Sequence, residues 1–246
     1  MPRPRSRVRY NLAVSAPAPR LVSRVIPSVD PWMAGEMFVS PHIEERRRGF
    51  AILFGSEAAR RSPLTHQLLA SRLDEPDLQL RAQIAQALAD YFEIRGYDYR
   101  SPPETRAAVA AHLRKFDRAQ VLALLELQPP EGVLRDRRAN HAGLASSRVR
   151  VACLARLLER IPNASAHLTR IAGDRAVAFG LRRAAVELIG EVGFTDALAP
   201  LEGLEARLEG RRAGQLTMTF APADHPDDQQ LLPALKETLR LLRENE

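Results

Sequence analysis

Lysine is nearly absent from this 246-residue chain, and 34 of its 36 basic residues are arginine. So broad a bias is compositional, and one arginine in isolation marks no site. Cys153 is the sole cysteine. A single thiol forms no intrachain disulfide and no thiolate metal cluster, and it suits a reducing cytoplasm. Aromatic residues make up only 5% of the chain, which weighs against a base-stacking surface. No apolar run approaches 18 residues, so no helix is expected to span a membrane.

Acid is missing from residues 1–29, MPRPRSRVRYNLAVSAPAPRLVSRVIPSV, which carry Arg3, Arg5, Arg7, Arg9, Arg20 and Arg24. The rest of the chain then holds 36 − 6 = 30 basic and 30 acidic residues, a neutral body beneath a net charge of +6. Prolines at 2, 4, 17, 19 and 27 oppose regular structure. We therefore expect residues 1–30 to be a disordered basic tail. An organelle transit segment and a phosphate-touching arm have the same composition. The tail lacks the apolar run of a secretory signal.

What is abundant is alanine, leucine and arginine, all good helix formers, and 45% of the chain is hydrophobic. An all-α fold follows. In LRRAAVELIGEVG (181–193), Leu181, Ala184, Ala185, Leu188, Ile189 and Val192 share one helical face. Gly190 and Gly193 read as its end, with Gly193 suited to a left-handed cap and Thr195 to capping the helix that follows. TDALAPLEGL continues with Leu198, Leu201, Leu204 and Leu208 on one side. Two amphipathic helices thus meet across a short turn.

The pattern recurs upstream in RVRVACLARLLERI (148–161), DLQLRAQIAQALADYF (77–92), FDRAQVLALLEL (116–127) and IEERRRGFAILFG (43–55). Aligned, they give an arginine series, Arg47, Arg81, Arg118, Arg150 and Arg182, with steps of 34, 37, 32 and 32. That period predicts an α-solenoid of about five to six stacked antiparallel hairpins over 31–246, each burying its face against a neighbour. The expected hairpins are 31–55, 63–93, 103–127, 133–160, 162–193 and 195–244. An irregular loop at 210–228 interrupts the last, and its LTMTF segment alternates weakly like a strand.

The stretch from Leu168 through Asp174, with LRRAAVELIGEVG and TDALAPLEGL, resembles the HEAT-repeat family, including its short bacterial variety of the phycobilisome-lyase type. In that family an aspartate ends the turn between helices and an arginine begins the second helix. The resemblance implies such roles for Asp77 with Arg81 and Asp174 with Arg182, and a helix bend at Pro200.

Catalytic constellations do not assemble. A helical-repeat hydroxylase with a two-iron site is built on similar helices and needs His-Glu pairs, yet none of His42, His66, His112, His141, His167 and His225 precedes a glutamate. Cys153 sits beside Leu154 on an apolar face and reads as a structural thiol. GFAILFGSEAAR lacks a phosphate-loop pattern, so Gly49 and Gly55 read as close packing and a helix end. Trp32 reads as an anchor between the N-terminal cap and the first hairpin. We expect no enzyme, no cofactor and no metal.

Electrostatics supply the remaining signal. Residues 101–160 hold eleven basic and six acidic side chains, concentrated in RDRRANHAGLASSRVR (135–150). Candidate partner or phosphate contacts are Arg135, Arg137, Arg138, Arg148, Arg156 and Arg183, while the periodic arginines read as structural. Two functions remain open. One is a non-enzymatic scaffold gripping a protein partner through exposed second-helix positions such as Gln83, Gln86, Arg156 and Glu187. The other is a nucleic-acid binder using the tail and the 135–150 cluster. A lyase- or chaperone-like accessory role is a minor third.

Overall fold

A computed structural model describes residues 30–60, 62–92, 102–127, 141–217 and 226–244. These residues are all-α: twelve α-helices, one short 3-10 turn at Thr195–Ala197, and no strand among them. The first six helices are α1 (Pro31–Phe38), α2 (Ile43–Gly55), α3 (Glu57–Arg60), α4 (Pro63–Ala70), α5 (Leu78–Phe92) and α6 (Pro103–Leu113). They are followed by α7 (Arg118–Leu125), α8 (His141–Arg160), α9 (Ala164–Gly173), α10 (Phe179–Val192), α11 (Leu198–Thr217) and α12 (Pro226–Glu244). The tail at 1–29 lies outside the described residues.

Local chemistry sets the helix ends. Asp30 accepts from the Trp32 backbone N–H at 3.1 Å, and Pro31 opens α1, where a missing N–H costs nothing. Asp117 and Gln120 form a reciprocal capping box on α7: each side chain accepts from the other's backbone N–H, at 3.0 and 2.9 Å. Gly193 closes α10 at φ +80°, donating to the Ile189 carbonyl at 3.1 Å. Thr195 is not a cap; it belongs to the 3-10 turn, which is preceded by Phe194.

Packing joins the helices through one continuous hydrophobic core that runs from Ala34 to Leu242. Helix α1 lies on α2, α4 on α5 and α6, and α9 on α10. Helices α5, α8, α10 and α12 touch in sequence and form a row, and α11 covers α12. Leucines at i, i+3, i+4 spacing fill it, as with Leu154, Leu157 and Leu158 on α8. Cys153 is buried among them, and burial pushes its thiol pKa up to about 12.

Several expectations change here. Residues 103–127 do not fold as one packed hairpin: the main neighbour of α6 is α4, and that of α7 is α9. Helix α8 alone lies between α5 and α10. The loop expected at 210–228 is shorter, because α11 runs to Thr217 and α12 starts at Pro226. The first two residues of LTMTF are helical and its last three lie outside the described residues. Trp32 anchors nothing in the core, being 69% exposed.

Glycine decides two close approaches. A Cβ on Gly49 would lie 2.5 Å from the Phe38 backbone nitrogen and 2.7 Å from the Ala34 carbonyl oxygen. Gly49 thus lets α2 touch the backbone of α1. Gly190 lies within α10, and does not end it; its hydrogen-only face meets Thr238 of α12. We expect Gly49→Ala to destabilise the protein by about 1–3 kcal/mol through overpacking against backbone. In thermal unfolding that is a drop of about 2–4 °C per kcal/mol. Gly55→Ala, with open space around the position, should leave the midpoint unchanged or slightly raised.

Candidate functional site

Buried arginines organise one edge of the molecule, where the chain turns from one helix into the next. Arg182 enters from the first turn of α10 with 1% of its surface exposed. Its Nε donates to the Ala172 carbonyl at 3.0 Å and its Nη2 to Asp228 at 3.1 Å, linking the end of α9 to the start of α12. Arg81 makes the equivalent set: it donates to the Glu75 carbonyl, to the Ala123 carbonyl at 2.7 Å and to Glu126 at 2.6 Å. Each guanidinium satisfies carbonyls left open at a helix end and meets a carboxylate from a later element.

At the N-terminal end this role belongs to Arg46, and Arg47 is displaced from it. Arg46 is buried and donates to the Ser40 and Pro41 carbonyls at 3.1 and 2.8 Å and to Glu75 at 2.7 Å. Arg47, one position round the helix, is half-exposed and bridges Glu44 and Asp77. Arg118 pairs with Asp174, which stands 56 residues later. The carboxylates of Asp77 and Asp174 pair with Arg47 and Arg118, while Arg81 and Arg182 stand in the first turns of α5 and α10. The carboxylate at each turn receives the arginine of an earlier helix.

The aspartates of this ladder have lowered pKa values. The Leu80 N–H holds the Asp77 carboxyl below its usual range and the Ala176 N–H does so for Asp174, each helped by its arginine. Burial alone would raise Asp228, but Arg175 and Arg182 outweigh it and hold the carboxyl low. At the far end, Arg175, Arg182 and Arg211 all reach Asp228.

The row of α5, α8, α10 and α12 makes a different surface. Between α10 and α12 lies an open groove of about 540 Å³. Pro233, Ala234 and Leu241 supply its apolar part, and Arg183, Glu187, Glu191 and Glu237 its charge. Arg183 donates to Glu187 at 2.8 Å across one helical turn. The Arg240 hydrogen bond holds the Glu237 carboxyl low. Net charge on the rim is −2, from three glutamates and one arginine.

Of the sequence-predicted contacts, Arg183 and Glu187 are brought together at this groove. Gln83 is exposed on α5, Gln86 is half-buried and donates to Asp90 at 2.7 Å, and Arg156 is half-buried on α8. Arg135, Arg137 and Arg138 lie outside the described residues, as do the side chains of Arg148 and Arg150 on α8. Sequence reasoning missed Arg46, Glu75 and Asp228. Arg46 was hidden inside the run Arg46–Arg47–Arg48, and nothing local marks either acid as a distant arginine's partner.

Among the described residues, no group of three or more His, Cys, Asp or Glu could hold a metal ion, and no helix is long and apolar enough to cross a membrane. No family model, curated protein or solved structure matches this chain.

Two measurements separate the buried arginines from the exposed ones. Removing one partner of a buried pair strands the other, so Arg182→Met should cost about 3–5 kcal/mol in denaturant unfolding. Arg47→Ala, at a half-exposed pair, should cost about 0–1 kcal/mol. Asp77, Asp174 and Asp228 titrate lower in the folded chain than in the unfolded one. Their stabilisation is complete above about pH 4 and is lost as pH falls below it through the folded values. Asp228→Asn should flatten the acid limb of the thermal midpoint below about pH 4; an unchanged limb contradicts the assignment.

Proposed function

We propose that this chain is a non-enzymatic helical-repeat scaffold of the HEAT-like kind, an α-solenoid that holds a protein partner on the face of its second helices. The recurrence of one device supports the repeat reading. Arg46, Arg81 and Arg182 each sit near the start of a second helix, bond the carbonyl end of the preceding turn, and cross to a carboxylate of a later unit. The contact row α5–α8–α10–α12 is what stacked hairpins require. The broken pair α6 and α7 then counts as a divided first helix within one unit, giving five units in place of six.

The observation that carries the binding role is the groove between α10 and α12. It is open, has an apolar part for anchoring side chains and carries a net-negative rim. Such a groove suits a partner segment with one or two apolar anchors flanked by basic residues. It repels a polyanion at the same place. Arg183, already bonded to Glu187, orients the rim and offers no free phosphate contact. The lone buried thiol is in keeping with a cytoplasmic scaffold.

Charge reversal on the exposed stripe of α10 tests this reading. Affinity capture from native lysate with the wild type should retain a partner in the presence of nuclease. Glu187→Lys/Glu191→Lys should reduce that capture at least about tenfold, with the circular dichroism spectrum unchanged. Capture that vanishes with nuclease, or that the double variant leaves intact, would sink the proposal.

A further inference from the structure

The arginine edge ends in an imbalance. At the junction of α9, α10, α11 and α12, a small cavity of about 20 Å³ is lined by Gly173, Arg175, Arg182, Arg207, Arg211 and Asp228, with two leucines behind them. Four guanidinium groups face one carboxylate there, a local charge of 4 − 1 = +3. Two neighbouring acids among the described residues are engaged elsewhere. Asp174, next to Arg175, is engaged by Arg118, and Glu209 on α11 is engaged by Lys236 at 2.6 Å.

The cluster combines fixed and adjustable parts. Arg182 and Asp228 are buried, and the Ala172 carbonyl holds the guanidinium of Arg182 in place. Arg175 and Arg211 have side chains 47% and 50% exposed, and both reach Asp228 from the outside. Arg207 is exposed at the mouth and donates to the Gly203 carbonyl at 3.2 Å. Three forks can therefore turn outward while Arg182 continues to neutralise Asp228. Asp228 itself is the third residue of α12, and Arg182 the fourth of α10. Both helices point their positive N-terminal ends at the cavity, which adds to the cationic field.

We propose that Arg175, Arg207 and Arg211 form the mouth of a site for a dianionic phosphoryl group, taken either as inorganic phosphate or as the terminal group of a small phosphate monoester. Guanidinium forks match phosphoryl oxygens two at a time. A cavity of about one water's size admits a single oxygen of the anion, and the others face the three exposed arginines. The charge of +3 selects a dianion over a singly charged diester, and the cluster is one point rather than the extended track that a nucleic-acid backbone follows. This site lies on the turn edge and stands independently of the groove on the second helices.

Calorimetric titration of the full-length protein with sodium phosphate, at constant ionic strength in potassium chloride, tests the site. Saturable binding and a rise in melting temperature are expected for the wild type. Arg207→Ala/Arg211→Ala should weaken binding by about tenfold or more, while Arg207→Lys/Arg211→Lys keeps part of it. Arg240→Ala/Arg243→Ala, which removes the same charge elsewhere, should bind as the wild type does. O-phosphoserine tighter than phosphate assigns a monoester, and equal affinity assigns free phosphate. The proposal is overturned by an unsaturable response, by equal losses in both alanine pairs, or by a short single-stranded DNA that binds as tightly as the monoester.

Discussion

A guanidinium group that leaves water must find both hydrogen-bond acceptors and a counter-charge, and this requirement governs how several helices of this protein meet. Arg182 has lost nearly all its solvent and recovers it from the Ala172 carbonyl and Asp228. The first contact lies at the end of α9, the helix just completed. The second lies at the start of α12. One side chain thereby ties α9, α10 and α12 together. Leucine packing alone is far less particular, because apolar contacts are non-directional and tolerate sliding. Arg46 with Glu75 and Arg81 with Glu126 repeat the arrangement.

Burial also explains which arginine of a run is structural. In Arg46–Arg47–Arg48 a periodic count from Arg81 lands on Arg47, and helical geometry gives the inward place to Arg46. Arg46, Arg81 and Arg182 are each the fourth residue of their helix, so the inward place is counted from the helix start, and Arg47 lies about 100° further round. The same count lands correctly on Arg81 and Arg182. Apolar periodicity likewise reveals α5 and α10 with near-final boundaries. What the sequence conceals is long-range: Arg118 meets Asp174, 56 residues away. The separation of α6 from α7 is equally hidden, since both carry the short apolar faces of ordinary hairpin helices. Neighbour choice is a property of the assembled core.

Glycine placement shows the same division. Gly193 is readable as a cap because a left-handed residue after an amphipathic run is a local event. Gly190, three residues earlier, looks identical in sequence and does something else, since its missing side chain receives Thr238. The Thr238 hydroxyl then donates to the Val186 carbonyl at 3.1 Å, a buried bond between α12 and α10. That bond and the Arg182–Asp228 pair hold the two helices at separate points, so the groove between them has a rigid base.

Helix α10 consequently faces two environments with opposite electrostatics. Arg182 points to the turn edge, where arginines outnumber carboxylates. Arg183, Glu187 and Glu191 follow at steps of four residues along the other side, where carboxylates outnumber arginines. A body of 30 basic and 30 acidic residues is neutral only as a sum, and the fold sorts those charges by face. Residues 182 and 183 are both arginine, yet a rotation of about 100° commits the first to the core and the turn edge and the second to the groove. Net charge therefore says little about partners here. The face on which an arginine lies decides whether it stabilises a helix junction, orients an acidic groove or meets an anion.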